Sequence, residues 1–289
     1  MITLQTLENI TIEQLVEVFN LSFSDYMISM TITDAQLADK IKAEDIKMEL
    51  SVGAFENGQL IGFMLHGHKV VEGEEVVYNA GTGVIPNKRG NKLTVEMYAY
   101  LLPILHKKRI AKIQLEVITT NAPALRTYTN LGFEIVRELN CYKGLLQPIK
   151  KIVTVEIRKL ETYDWQKLQS FWDFEPSWQN SITAVENLKY TNISLGMFRD
   201  HELLGYIIYN PALKRIQQLA IERAERNQGF GKLLMEYIAT TFNKEISIIN
   251  IENGSTLDKF MKKGELKLFI KQYEMEISLK SSVKNIDNC

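Results

Sequence analysis

The chain has 289 residues, of which 45% are apolar and 24% are charged, and its formal net charge is −1. This is an ordinary globular composition without an excess of basic residues, so it argues against nucleic acid as a main partner. The two cysteines are too few for a disulfide framework or a zinc cluster. With no signal segment and no bilayer-length apolar run, we expect a cytoplasmic protein that does not bind membranes.

The first half predicts an alternation of helices and strands. Thr11 is a candidate N-cap before an apolar stripe that ends near Phe23, and Asn57-Gly58 between two apolar runs is a strong hairpin signal. Pro103 is expected to kink or shorten the helix that contains it. The predicted strands are 2–7, 50–55, 60–67, 75–84, 113–118 and 133–139, and the predicted helices are 11–23, 34–43, 93–107 and 123–130.

The second half repeats this order. The segment G-A-F-E-N-G-Q-L-I-G-F at 53–63 is matched by G-M-F-R-D-H-E-L-L-G-Y at 196–206, at an offset of 143 residues. Half the chain is too long a period for a solenoid, so we expect two tandem domains, at 1–146 and 151–280. The predicted strands are 152–157, 194–198, 203–209, 215–221, 246–251, 266–270 and 273–279, and the predicted helices are 163–172, 182–188, 231–242 and 257–263.

Each half has a loop between a strand and a helix that is suited to an anion. In the second half the loop is Arg226-Asn227-Gln228-Gly229-Phe230-Gly231. Glycines let a backbone approach a ligand closely, and the free amides of a first helical turn favour a negative group such as a pyrophosphate. A glycine-rich turn without any ligand is the alternative. The first half carries the corresponding loop at 83–94.

These loops resemble the V-x-P-x-x-R/Q-x-x-G-x-G/A loop of the GNAT family of N-acetyltransferases, which implies that they hold the pyrophosphate of acetyl-coenzyme A (acetyl-CoA). In the first loop Val84, Pro86 and Arg89 match, whereas Lys92 and Thr94 stand where the family prefers small residues. The second loop has Arg223 at the proline position. The resemblance implies these cofactor-binding positions: Val84, Arg89, Gly90, Asn91, Lys92, Leu93 and Thr94 in the first loop, and Arg226, Gly229 and Gly231 in the second.

A second signature, N-x-x-A-x-x-x-Y-x-x-x-G-F, is complete in the first half as Asn121, Ala124, Tyr128, Gly132 and Phe133. The resemblance implies a fold of the α/β class in which each domain is a twisted mixed sheet flanked by helices. It further implies that Asn121 contributes to cofactor binding and that Tyr128 protonates the leaving thiolate. Glu116, twelve residues before Tyr128, matches the position that serves as the base in some members. A packing role for Tyr128 and a solvated or salt-bridged Glu116 are the alternatives.

The second half lacks both proton-transfer groups, because Phe260 and Ile248 occupy the positions of the tyrosine and the glutamate. We therefore expect an acetyl-CoA-dependent N-acetyltransferase that works in its first domain and transfers the acetyl group directly to a primary amine, on a small molecule or a peptide. A non-catalytic acyl-CoA-binding or sensing protein is the rival, favoured by Lys92. A further alternative is a second domain that only stabilises the first. No metal-ligand spacing is present, and the sequence does not indicate an oligomeric state.

Overall fold

The computed structural model describes residues 1–26, 30–147 and 155–280. Its strands are β1 (Ile2–Thr6), β2 (Val52–Glu56), β3 (Gln59–Val71), β4 (Glu74–Val84), β5 (Lys112–Ile118), β6 (Glu134–Leu145), β7 (Glu156–Lys159), β8 (Ile193–Arg199), β9 (Glu202–Asn210), β10 (Arg215–Ile221), β11 (Glu245–Glu252) and β12 (Lys267–Ser278). Its helices are α1 (Ile12–Ser22), α2 (Asp34–Ala43), α3 (Leu93–Lys107), α4 (Ala122–Asn130), α5 (Trp165–Gln169), α6 (Ile182–Asn187), α7 (Phe230–Thr241) and α8 (Thr256–Lys263).

The chain divides into two compact units, and the first of them contains residues from both ends of the chain. The first unit comprises Met1–Val136 together with the chain from Glu274 onward, and the second comprises Arg137–Tyr273. Most of β6 therefore belongs to the second unit, although it lies in the first half of the sequence, and the end of β12 belongs to the first unit. The domain limits 1–146 and 151–280 stay a prediction, and residues 148–154 between them lie outside the described residues.

In the first unit, β1 to β4 form an antiparallel series, and β5 then pairs with β4 in parallel, which makes the sheet mixed. The parallel pairing runs from Val76 and Lys112 to Asn79 and Leu115, although both strands continue beyond these residues. A register shift in β4 next to Asn79 marks a bulge at the same point. The carboxyl ends of β4 and β5 are thus no longer paired with each other.

The second unit repeats this arrangement. Its sheet has the order β6-β11-β10-β9-β8-β7, in which only β10 and β11 are parallel. These two strands pair only at Arg215 with Ser247 and at Ile216 with Ile248, before β10 bulges. Leu234 and Ile238 of α7 are fully buried in the apolar core of this unit. Each unit therefore has one pair of parallel strands that separates towards its carboxyl end.

Local sequence signals account for most element boundaries. Capping boxes at Thr11 and Thr33 start α1 and α2. Each threonine hydroxyl accepts a hydrogen bond from the amide of the glutamine three residues later, and the threonine amide donates to the side-chain oxygen of the same glutamine. Pro103 does not shorten α3, which continues to Lys107, and the kink expected at this proline stays a prediction. The two strands predicted at 266–270 and 273–279 are one strand, β12, because the polar pair Lys271-Gln272 between them continues the extended backbone. Within the described ranges, no helix is both long and apolar enough to cross a bilayer.

Candidate active site

The two strand-to-helix loops follow the same backbone path. In the first loop Gly90 and Lys92 have left-handed conformations, with φ of 79° and 60°, and α3 begins directly after Lys92. In the second loop Asn227 and Gly229 are left-handed, with φ of 65° and 89°, and α7 begins directly after Gly229. Lys92 and Gly229 are therefore equivalent N-cap residues. The first loop keeps the backbone shape without the glycine.

An arginine holds each loop in place. The Arg89 guanidinium donates to the Val84 carbonyl at 3.1 Å, to the Ser22 carbonyl at 2.7 Å and to both carboxylate oxygens of Asp25. Arg226 makes the same set of contacts in the second unit, to the carbonyls of Ile221 and Phe171 and to the carboxylate of Asp173. Because each arginine is paired with an aspartate of the same unit, the geometry indicates that both arginines stabilise the conformation of the loops. Their contact with a ligand stays a prediction.

The loop backbone fits a pyrophosphate. Within the described part of the chain, neither Lys92 nor Gly229 makes a side-chain cap to its helix, so the first-turn amides of α3 and α7 are not capped in this way. Asn91 and Lys92 are exposed, whereas Leu93 is buried and anchors the start of α3. A β-carbon at Gly229 would meet no described atom within 4 Å, so the space beside the second loop is open. Both loops are therefore suited to a phosphate group, and their binding of one stays a prediction.

Lys92→Gly is expected to stabilise the chain and to tighten acetyl-CoA binding by the first unit. A non-glycine residue in the left-handed region costs about 1 kcal/mol, so urea unfolding should show a gain of that order. Removal of the β-carbon also lets a phosphate come closer to the loop. Calorimetry on the full chain carrying Gly229→Asp, which removes the second loop from the measurement, tests the binding. Weaker binding would show instead that the lysine ammonium contacts a phosphate.

Tyr128 of α4 is a buried residue whose hydroxyl reaches β4. Its side chain is 9% exposed, and its ring makes edge contacts with Tyr98 and Phe133 at centroid distances of 6.4 and 5.6 Å. The hydroxyl lies within hydrogen-bonding reach of the Thr82 and Asn79 side chains, at the bulge where β4 separates from β5. Burial raises the pKa of Tyr128, so the hydroxyl keeps its proton at neutral pH. The residue packs as a core aromatic and also presents a proton donor.

Asn121 has a structural task that the sequence did not predict. Its side-chain oxygen accepts a bond from the Ala124 amide at 3.2 Å and so caps α4. Its amide group donates to the hydroxyl of Tyr26 at 3.0 Å, and Tyr26 in turn lies close enough to Tyr128 to raise the pKa of that residue. Asn121 thus orients the helix that carries Tyr128, and its contribution to cofactor binding stays a prediction.

Glu116 of β5 lies in a carboxylate-rich environment. The Tyr78 hydroxyl donates a hydrogen bond to its carboxylate. The pKa of Glu116 is raised to about 8, first by burial and then by the neighbouring carboxylate of Glu274, with a smaller rise from Glu44, whereas the hydrogen bond from Tyr78 and the ammonium of Lys40 lower it. The motif search missed Tyr78 and Glu274. Alternation along β12 places Glu274 and Glu276 on one face, but their partner strand is not evident from the sequence.

Tyr128 and Glu116 approach β4 from opposite faces of the sheet. Tyr78, the partner of Glu116, and Asn79, the partner of Tyr128, are consecutive on this strand, and consecutive strand residues point to opposite faces. Tyr128 and Glu116 therefore flank the separation between β4 and β5 from its two sides. A group held in that separation could lose a proton on one face and gain a proton on the other.

Glu116→Gln is expected to remove a pH dependence of stability. The folded pKa of about 8 is higher than the ordinary value of 4.5, so the folded chain holds this proton more tightly than the unfolded chain does. The stabilisation that this bound proton gives to the folded chain is fully present below about pH 4 and is lost as the pH rises through 8. In urea unfolding, the variant should lie within about 1 kcal/mol of the wild type at pH 5 and exceed it by about 5 kcal/mol at pH 9. Glu276→Gln serves as the control, and equal slopes for wild type and Glu116→Gln would contradict this assignment.

The second unit has a cavity of about 180 Å³ beside its loop. The cavity lies at the carboxyl ends of β10 and β11, and its wall includes Phe260 and Ile248, the positions that lack proton-transfer groups. The Phe260 ring packs beside Gly231, where a β-carbon would lie 3.4 Å from it. These side chains can enclose a ligand but offer no proton to it.

A polar chain that the motif search missed forms another part of this wall. The Trp172 indole donates to the Tyr206 hydroxyl at 2.5 Å, and that hydroxyl donates to Gln218 at 2.9 Å. Burial raises the pKa of Tyr206 far above its ordinary value, so it stays neutral. Trp172 therefore contributes to the cavity wall. These two hydrogen bonds already satisfy the Trp172 indole and the Tyr206 hydroxyl. This part of the wall is therefore better suited to binding a ligand than to transferring a proton.

Comparison with known proteins agrees with this architecture. The model of the acetyltransferase (GNAT) family matches residues 12–133 and 157–255, so the prediction of two tandem copies of a mixed α/β fold is confirmed. None of the curated proteins matches this chain.

Several solved structures share the fold. The chain is similar to a GCN5-related N-acetyltransferase from Sphaerobacter thermophilus, with a TM-score of 0.72 and 10% identity over 96% of this chain and 95% of that one. It is also similar to a tandem GNAT protein from the clavulanic acid biosynthesis pathway (TM-score 0.71, 12% identity, 98% and 100% covered). A third similar structure is a GCN5-related N-acetyltransferase from Anabaena variabilis (TM-score 0.59, 12% identity, 96% and 72% covered). At these identities the likeness concerns the fold alone. With the family model matched in both halves, the chain belongs to the GNAT acetyltransferase family as a tandem member.

Proposed function

We propose that this protein is an acetyl-CoA-dependent N-acetyltransferase that moves the acetyl group directly to a primary amine, and that the chemistry takes place in the first unit. Membership of the family gives the acyltransferase class. The assignment to the first unit rests on one observation, that Glu116 and Tyr128 reach β4 from its two faces where it separates from β5. The second unit offers phenylalanine and isoleucine at these two positions.

Glu116 is the proposed base. An amine attacks a carbonyl only when it is neutral, so the ammonium form that prevails at neutral pH must first lose a proton. The Glu116 carboxylate takes that proton, and its pKa of about 8 lies near working pH, where a general base is most effective. The hydrogen bond from Tyr78 holds the carboxylate in place beside β4.

Tyr128 is the proposed acid. Bound acetyl-CoA supplies the activated carbonyl and the sulfur leaving group. The amine nitrogen forms the new bond to the carbonyl carbon, the carbon–sulfur bond breaks, and the Tyr128 hydroxyl gives its proton to the sulfur. The nitrogen loses its second proton as the amide forms, this proton restores Tyr128, and the proton held by Glu116 returns to solvent, so the step balances without an acyl-enzyme. Cys141 is buried in the second unit beside Asn250 and Gln272 and serves no nucleophilic role in this scheme.

The two loops are the proposed coenzyme-binding elements. In the first unit, the amides of residues 89–94 hold the pyrophosphate, and Arg89 keeps their geometry through Asp25. In the second unit, the loop from Arg226 to Gly231 and the adjoining cavity bind acyl-CoA without chemistry. The acceptor is a small-molecule or peptide amine.

Free-thiol release from acetyl-CoA over a panel of primary amines tests this function. The panel includes diamines, amino sugars, amino acids and peptide N-termini, and the reaction without an amine measures simple hydrolysis. We expect release that depends on the amine and matches the amide formed, mole for mole. If calorimetry shows acetyl-CoA binding and no amine supports release, the acyl-CoA-binding or sensing function replaces the enzymatic one.

A further inference from the structure

The register of β12 brings a second carboxylate opposite Glu116. The Leu279 amide donates to the Ala111 carbonyl at 2.8 Å, and Glu276 accepts a hydrogen bond from the side chain of Gln114. Residue 279 thus lies beside 111 and residue 276 beside 114, so the two strands run antiparallel. The same register places Glu274 directly across from Glu116. Directly opposed residues of antiparallel strands lie on the same face of the sheet.

The neighbouring groups act on Glu116 in both directions, since the hydrogen bond from Tyr78 and the ammonium of Lys40 lower its pKa, whereas burial and the Glu274 carboxylate raise it more. Tyr78 of β4 donates to Glu116, while Lys40 of α2 directs its ammonium to both carboxylate oxygens of Glu44 at 2.6 and 2.7 Å. Glu274 is 8% exposed, so water screens its charge poorly. Like charges directly opposite each other are destabilising. The carboxylate opposite Glu116 therefore disfavours the ionisation of Glu116.

We propose that Glu274 is a positioning residue for proton transfer, because its carboxylate opposite Glu116 keeps Glu116 basic enough to accept the proton of the acceptor amine. This inference rests on the proposed function and names a further participant in the same site. Glu274 belongs to the last strand of the chain, so the first-unit reaction depends on a residue from the far end of the sequence. Without this carboxylate Glu116 ionises at lower pH and is a weaker base.

The pH dependence of kcat/KM for Glu274→Gln tests the inference. With the best amine of the panel, the acid limb should move to lower pH by about one unit, and the plateau should fall a few-fold because a weaker base accepts the proton less well. The ionisation of the amine itself affects every variant equally. Glu274→Asp, which restores the charge, should return the limb towards its wild-type position.

Glu276→Gln is the matched control. It lies two residues along the same strand and face, and its carboxylate is paired with Lys112 at 3.0 Å, so the acid limb should stay in place. Carbon-13 spectra of labelled glutamate side chains in the full chain give a second readout. A carboxyl group that titrates near pH 8 should be absent in Glu116→Gln and shifted to lower pH in Glu274→Gln.

The outcomes separate the inference from the proposed function. The inference alone is wrong if the enzyme is active but the acid limb of its kcat/KM profile does not move in Glu274→Gln. It is also wrong if the limb moves equally in Glu276→Gln. The same holds if no glutamate of the folded chain titrates above the ordinary range. A wild-type chain that acetylates no amine overturns the proposed function, and the role of Glu274 in transfer falls with it.

Discussion

Tyr128→Phe is expected to lower kcat by at least about 100-fold while the affinity for coenzyme A stays close to that of the wild type. The ring should keep its place, because its edge contacts with Tyr98 and Phe133 do not involve the hydroxyl. Only the contacts of the hydroxyl with Thr82 and Asn79 are lost. Since the proton is needed as the sulfur leaves, the loss should appear in kcat, which steady-state kinetics measures beside calorimetry of coenzyme binding.

Tyr98→Phe is the matched control for this prediction. Tyr98 is a second buried tyrosine in the same cluster, and its hydroxyl accepts a hydrogen bond from Asn79 at 2.8 Å. Its removal disturbs the polar cluster without removing the proposed acid, so kcat should change by less than about tenfold. If Tyr128→Phe keeps its turnover within about threefold of wild type, general-acid catalysis by Tyr128 is wrong.

Gly229→Asp is expected to abolish coenzyme binding by the second unit and to leave acetyl transfer intact. The residue is left-handed with φ of 89°, a conformation that aspartate tolerates better than most residues, and a β-carbon meets no described atom within 4 Å. The substitution should therefore fold and place a negative charge where a phosphate would bind. Calorimetry on the full chain should show two binding events in the wild type and one in the variant.

Gly229→Asn separates charge from shape in this experiment. Asparagine has nearly the same size and also tolerates the left-handed region, but it carries no charge. It should keep most of the second binding event, whereas aspartate removes it. If a folded Gly229→Asp chain loses acetyl transfer instead, the second unit is the catalytic one, and the assignment of roles is reversed.

The features that could be predicted from the sequence are those decided by residues close together in the chain. The helix starts at Thr11 and Thr33 follow from side chains that bond within their own turn, and the two loops follow from motifs only a few residues long. The left-handed conformation of Lys92 could be expected from its position in the glycine pattern. In each case the residues that decide the structure are neighbours in the sequence.

Features that depend on contacts between residues far apart in the chain could not be predicted from the sequence. Nothing near Glu274 shows that it pairs with Glu116, because the register depends on which strand takes its place at the sheet. Arg89 illustrates the same limit. Its motif position implied a ligand contact, and its partner Asp25, which holds the guanidinium, lies 64 residues away in the chain. Proton affinity at Glu116 likewise depends on burial by several elements.

One matched pair of substitutions tests most directly whether the first unit is the site of transfer. Lys92→Asp and Gly229→Asp place the same charge at the equivalent left-handed residue before α3 and before α7. Free-thiol release at a fixed, low acetyl-CoA concentration should fall by at least about tenfold in Lys92→Asp, because a phosphate held at that loop is repelled. The same assay should stay within about threefold of wild type in Gly229→Asp. Loss of release in Gly229→Asp with retention in Lys92→Asp would contradict catalysis by the first unit.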